Sequence, residues 1–184
     1  MSGFDLRPLT AERRGEYARM LHASFNAWYA KRGWAGDYFK CAPADTGIFF
    51  DVYEDLTPGT NVSAFHRDTG RLMGTCFYHP RPRHMSLGIM AVHPDHFGCG
   101  VGKAMTDAII AAARDRGTPL RLVSSAFNMD SFHLYGRAGV VPRESYSDMV
   151  VQVPHGYDPQ PVPGIDRVRE ARAASRGRGG LVVR

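Results

Sequence analysis

The run His93-Pro94-Asp95-His96-Phe97-Gly98-Cys99-Gly100-Val101-Gly102-Lys103 constrains this chain more than any other feature. Met85 to Val92 reads as a strand leading into it. Val101, Ala104, Met105, Ala108, Ile109 and Ala112 make one apolar stripe at i, i+3, i+4 spacing, a helix leading out. Three glycines at alternate positions clear the turn of side chains. Such a junction belongs at a strand's carboxyl end, a usual ligand position in open α/β sheets. Its N–H groups and the positive end of the helix suit an anion, so the turn points to a phosphate-bearing cofactor.

The flanking pattern predicts a mixed α/β domain. Phe4 to Pro8 is a strand candidate, and Thr10 can cap a helix bearing Tyr17, Met20, Leu21 and Phe25. A second short helix holds Trp28 and Tyr29 and stops near Gly33, and residues 34–60 read as irregular. A hairpin follows, Asn61–His66 and Arg71–Tyr78 around Asp68-Thr69-Gly70, with Pro80 and Pro82 ending its second strand. Gly117 and Pro119 stop the long helix. Leu120–Ser125 reads as a buried strand, Asn128 or Asp130 starts a helix through Arg137, and Tyr146–Val153 closes the sheet. Residues 1–153 form the expected domain. Residues 154–184, rich in Pro, Arg and Gly, read as a flexible tail.

Charge and composition exclude several roles. The formal net charge is +5, but the segment from Asp166 onward carries +4 of it, leaving residues 1–165 nearly neutral. The domain therefore has little basis for nucleic-acid binding. No run of eighteen apolar residues exists, and charges crowd the first fourteen residues, so neither a membrane span nor a secretory signal is expected. Three scattered cysteines, Cys41, Cys76 and Cys99, fit a reducing cytoplasm and argue against a disulfide framework or a closed zinc site; no metal is expected.

Two phosphate motifs fail. A nucleotide P-loop needs Ser or Thr after Gly102-Lys103, where Ala104 stands, and a glycine where Phe97 stands. The dinucleotide fingerprint needs a third glycine where Lys103 stands. What remains resembles the GNAT N-acetyltransferases, over residues 4 to 153. Val92-His93-Pro94 matches the family's V-x-P at the strand end, and Gly100 and Gly102 match its [QR]-x-x-G-x-[GA], with Phe97 in place of Gln or Arg. Asn128, Ser131, Leu134, Tyr135 and Gly139 follow the family's N-x-x-[SA]-x-x-L-Y-x-x-x-G signature, with Val140 for its usual Phe. Leu6-Arg7-Pro8-Leu9 resembles its opening strand.

That resemblance implies a mixed, mostly antiparallel central sheet flanked by helices. It implies acetyl-CoA as co-substrate and direct acetyl transfer to a primary amine. The turn Phe97, Gly98, Cys99, Gly100, Val101, Gly102 and Lys103 would hold the pyrophosphate, and Met90, Ala91 and Val92 would pair with the pantetheine arm. Tyr135 matches the general acid that protonates the leaving thiolate. Asn128 caps its helix or bonds the cofactor arm. The family's usual strand glutamate would fall on Ser86, which is no base; His84, His79, Glu54 and Asp148 stay open as candidates. Cys99 reads as filler. Nine aromatics between Phe25 and Tyr53, near Asp37, Asp45, Asp51, Glu54 and Asp55, form either sheet packing or a pocket for a cationic amine, such as a small molecule or a peptide. A homodimer and a non-catalytic acyl-CoA-binding role both stay open.

Overall fold

A computed structural model of the chain describes residues 3–146. Residues up to Arg143 make one compact unit. Glu144–Tyr146 belong to a second, within which the Tyr146 hydroxyl donates to the Glu144 carboxylate. The expected closing strand beyond Tyr146, the base candidate Asp148 and the tail at 154–184 lie outside the described residues.

Five strands form one sheet in chain order: β1 (Phe4–Arg7), β2 (Asn61–His66), β3 (Leu72–Pro80), β4 (Met85–Val92) and β5 (Leu120–Arg121). The first four run antiparallel and β5 joins β4 in parallel. Helix α1 (Arg14–Ala30) and helix α2 (Ile48–Leu56) cover one face. Helix α3 (Val101–Asp115) and helix α4 (Met129–Arg137) cover the other. The central strand β3 is buried on both faces, so its sequence Leu-Met-Gly-Thr-Cys-Phe does not alternate. Val101, Met105 and Ile109 of α3 are at most 1% exposed. At roughly 1.5–3 kcal/mol for each buried side chain, they contribute on the order of 5–9 kcal/mol gross.

Several expectations are corrected. Trp28 and Tyr29 continue α1 rather than start a second helix, because no Gly or Pro intervenes between Gly15 and Gly33. Thr10 precedes a 3₁₀ turn and makes no side-chain cap. Residues 34–60 contain α2: Gly47 and Pro58-Gly59 bound the apolar run Ile48-Phe49-Phe50 rather than break it. β3 extends to Pro80, two residues past the expected end. β5 keeps only Leu120–Arg121 of the strand expected over 120–125 and is not buried.

Two features of β4 matter for function. First, β5 pairs only with Met85 and Ser86, so the edge of β4 from Leu87 to Val92 has no strand partner on that side among the described residues. Second, Cys76 pairs with Met90 while Tyr78 pairs with Leu87. Two residues of β4, Gly88 and Ile89, therefore oppose the single Phe77, a bulge that bends β4 and takes an amide out of the ladder.

Candidate active site

The turn after β4 is held open by its glycines. Gly98 and Gly100 adopt φ of 79° and 81°, which an L side chain resists, and Gly100 is the N-cap of α3. The Phe97 N–H bonds Pro94 O, and the Cys99 N–H bonds His96 O at 3.3 Å. The N–H groups of Gly98, Gly100, Val101, Gly102 and Lys103 take no acceptor among the described residues. Unspent amides at a helix start are an anion cradle. Phe97 and Cys99 are thus the two positions of the turn whose amides are spent internally.

The side chains around the cradle are arranged to leave it clear. Lys103 is exposed and pairs with Asp107 one turn on, so its charge faces along α3. Phe97 lies under the ammonium of Lys31, the residue that follows α1, 5.2 Å from the ring centroid. The Cys99 thiol is exposed. A groove of about 530 Å³ runs along the outer flank of the turn, between β1 and Cys99, Gly100, Lys103 and Asp107, away from the β4 edge.

Gly102 ties the three expected parts together. A Cβ there would stand 3.4 Å from Leu134 Cδ2 of α4 and 3.9 Å from both Met90 Sδ and Val92 Cγ2 of β4. The turn, the β4 edge and α4 therefore meet at one point. Tyr135, next to Leu134, is 8% exposed and packs in the core formed with α3. Its hydroxyl makes no hydrogen bond to the described residues. Burial, with Cys76 nearby, holds its pKa well above the usual phenol value, so it keeps its proton at neutral pH. Asn128 caps α4, its Oδ1 accepting from the Ser131 N–H at 3.1 Å. Its side-chain amide N–H groups have no acceptor among the described residues.

A clamp absent from the sequence reading sets α4 against α1. Arg32 donates to Asp130 at 2.8 Å, and Trp28 Nε1 donates to the same carboxylate at 3.3 Å. The Arg32 guanidinium also lies 3.6 Å over the Trp28 ring and holds the Asp130 carboxyl below its ordinary pKa. No local pattern signals a pair separated by 98 residues.

The candidate bases fare differently. The Glu54 carboxylate is spent on the Gly59 N–H and the Asn61 amide. His84 is partly buried near Arg121, Arg81 and Arg83; burial, then these charges, lowers its pKa. His79 is 4% exposed and pairs across the sheet with Ser86, the position that lacks a carboxylate. Its Nδ1 meets Thr57 Oγ1 at 2.9 Å, and its Nε2 has no partner among the described residues. Burial, then Arg81, lowers its pKa.

The aromatic region divides in two. Phe50 and Tyr53 pack on Phe77 under the sheet. Phe25, Tyr29, Trp34, Tyr38 and Phe39 stack on one another outside it, Tyr29 and Tyr38 with centroids 4.0 Å apart. The acidic rim is largely spent: Asp37 on Asn26, the Phe39 N–H and His22, Asp45 on the Ala42 N–H, and Asp51 on Arg14. Among the described residues no group of three His, Cys, Asp or Glu side chains is placed to hold a metal ion. No helix among them is long and apolar enough to cross a membrane.

The sequence profile of the Acetyltransferase (GNAT) family matches residues 14–140. The chain belongs to the GNAT acetyltransferase family. Solved structures share this fold. A Pyrococcus horikoshii protein, assigned provisionally as an acetyltransferase, aligns with TM-score 0.63 at 15% identity, over 78% of this chain and 45% of its own. This chain thus spans under half the length of that relative. The PaiA N-acetyltransferase of Thermoplasma acidophilum, in complex with coenzyme A, aligns with TM-score 0.60 at 15% identity, over 73% of this chain and 87% of its own. The ribosomal-protein-alanine N-acetyltransferase of Brucella melitensis aligns with TM-score 0.53 at 20% identity, over 82% and 99%. At these identities the likeness establishes the fold alone. No curated protein matches the chain. The GNAT fold accounts for the mostly antiparallel sheet flanked by helices.

Proposed function

We propose that this GNAT protein is an N-acetyltransferase that transfers acetyl from acetyl-CoA to a primary amine, directly and without a covalent enzyme intermediate. The observation that carries the reading is the set of five unspent amides at Gly98 and Gly100–Lys103, opening onto a free β4 edge beside Tyr135. Amides in that number suit a pyrophosphate, and a free strand edge suits the two amide groups of a pantetheine arm. Coenzyme A bound to the PaiA relative is consistent with that choice.

Acetyl-CoA supplies an activated acyl group with a thiolate leaving group. The chain's residues do the rest. Gly98 to Lys103 bind and orient, with Cys99 contributing shape rather than a donor. The backbone of Met90, Ala91 and Val92 lines the arm. Tyr135 holds a proton beside the leaving sulfur. A thiol's ordinary pKa of about 8.5 lies below that of a buried phenol, so Tyr135 stabilises the departing thiolate chiefly by donating a hydrogen bond. The acceptor is an amine on a small molecule or a peptide; the alanine acetyltransferase relative supports the peptide class.

Thiol release from acetyl-CoA, screened against a panel of small amines and peptide N-termini, tests this. Tyr135→Phe should lower turnover with acetyl-CoA binding retained. Acetyl-CoA binding without turnover on any amine would instead support an acyl-CoA-binding domain.

A further inference from the structure

The bulge in β4 has an occupant. The Ile89 N–H leaves the ladder and donates to the Tyr53 hydroxyl of α2 at 3.1 Å. The ring that carries this hydroxyl is tightly seated. It stacks on Phe77, centroids 4.9 Å apart at 21°, and on His79, 5.1 Å apart at 11°. A Cβ at position 88 would stand 2.5 Å from Tyr53 Cε1, so glycine there is what admits the ring. The Tyr53 oxygen accepts one hydrogen bond, and its own hydrogen has no acceptor among the described residues. Burial raises its pKa, so that hydrogen is retained at neutral pH.

Position gives this hydroxyl its role, on the acetyl-CoA reading above. From the turn, the free edge of β4 runs back through Val92, Ala91 and Met90 to Ile89, about 10 Å at 3.3 Å per residue. Beyond Leu87, the residue next to the bulge pair, the edge closes, since Ser86 and Met85 are covered by β5. An extended ligand laid on this edge from the cradle must end near the bulge. The end of acetyl-CoA is its acyl thioester.

We propose that the Tyr53 hydroxyl, held by the Ile89 N–H, donates its hydrogen to the acyl carbonyl oxygen, making Tyr53 a catalytic residue contributed by α2. As the amine nitrogen bonds to the carbonyl carbon, the C=O electron pair moves onto oxygen, where Tyr53 meets the charge. The pair returns as the C–S bond breaks and its electrons leave on sulfur. The proton shed by nitrogen balances the one gained by sulfur, and nothing is oxidised or reduced. The chain N–H···O–H···O strengthens each link. Loss of one such donor commonly costs about 10²–10³ in turnover.

The test is difference infrared spectroscopy of bound acetyl-CoA labelled with ¹³C at the carbonyl, on the full chain. The carbonyl band should lie at lower frequency in the wild type than in Tyr53→Phe, which keeps the ring and both stacks. Gly88→Ala, which displaces the ring, should move the band toward the Tyr53→Phe position. Equal band positions in wild type and Tyr53→Phe would overturn the assignment while acetyl-CoA binding by calorimetry stands. A lower band in Tyr53→Phe would also overturn it, because Tyr53 would then be masking the Ile89 amide. Failure of the wild type to bind acetyl-CoA at all would overturn this proposal together with the reading it rests on.

Discussion

Alanine at Gly100 and at Gly102 should have opposite effects on stability, and the contrast tests whether the turn is an anion cradle or only a tight turn. At Gly100 a Cβ meets nothing within 4 Å, so the whole cost is backbone: φ is 81°. An L side chain in the left-handed region costs roughly 1–2 kcal/mol. For a domain of this size, 1 kcal/mol shifts Tm by about 2–4 °C, so Gly100→Ala should lower Tm by roughly 2–8 °C. If the chain relieves the strain by rotating φ, the free amides of Gly100 and Val101 turn away from the cradle. A hydrogen bond to a charged group is worth about 1.5–3 kcal/mol. Loss of one such contact should therefore weaken coenzyme A binding by roughly 10- to 100-fold. At Gly102 φ is helical and the nearest atom to a Cβ, Leu134 Cδ2, is at 3.4 Å. Alanine there gains up to about 1 kcal/mol of helix propensity. Gly102→Ala should raise Tm, yet its methyl group projects toward Met90, Val92 and Leu134 and should narrow the approach to the β4 edge. Thermal unfolding and calorimetry with coenzyme A measure both. If Gly100→Ala leaves stability and coenzyme A affinity unchanged, the cradle argument is wrong.

Tyr135→Phe should change stability by less than about 0.5 kcal/mol, since the hydroxyl makes no hydrogen bond, while lowering turnover of acetyl-CoA about 10²-fold or more; denaturant melts with initial rates separate the two effects, and equal turnover refutes the role. Burial holds His79 below its ordinary 6.5 in the folded chain, so the unfolded chain takes up more protons as pH falls. The stability His79 permits is present above pH 6.5 and lost on the acid side. His79→Gln should flatten the fall in urea midpoint as pH drops below 6.5, and unchanged slopes would contradict this. Asn61 is 3% exposed, accepts from the Leu9 N–H at 2.6 Å and donates to Leu9 O. Asn61→Ala strands that buried N–H and should cost about 1–3 kcal/mol, read as a lower urea midpoint at unchanged m-value.

Much of the candidate site is legible in the sequence alone. The glycine turn, the stripe of α3 and the spacing of Asn128 to Gly139 are local patterns, and each is read from residues within a turn or two of one another. The same locality explains the errors. Gly47 and Pro58 look like interruptions within residues 34–60, yet they flank α2. Trp28 and Tyr29 belong to α1 and not to a second short helix, since no breaker separates them from Phe25. The acidic rim looked available to a cationic acceptor because a sequence shows charge and not partners; in the fold Asp37, Asp45 and Asp51 are already hydrogen-bonded.

Periodicity, turn chemistry and glycine placement thus set most elements of this domain and marked its glycine turn, because backbone sterics and amphipathic spacing act over a few residues. Long-range pairing set the rest. The bulge at Gly88–Ile89 depends on register with β3, the seat of Tyr53 depends on α2 crossing that bulge, and the Arg32–Asp130 clamp joins helices 98 residues apart. Such contacts are chosen by packing and hydrogen-bond satisfaction across the whole core, and no short window of sequence contains both partners.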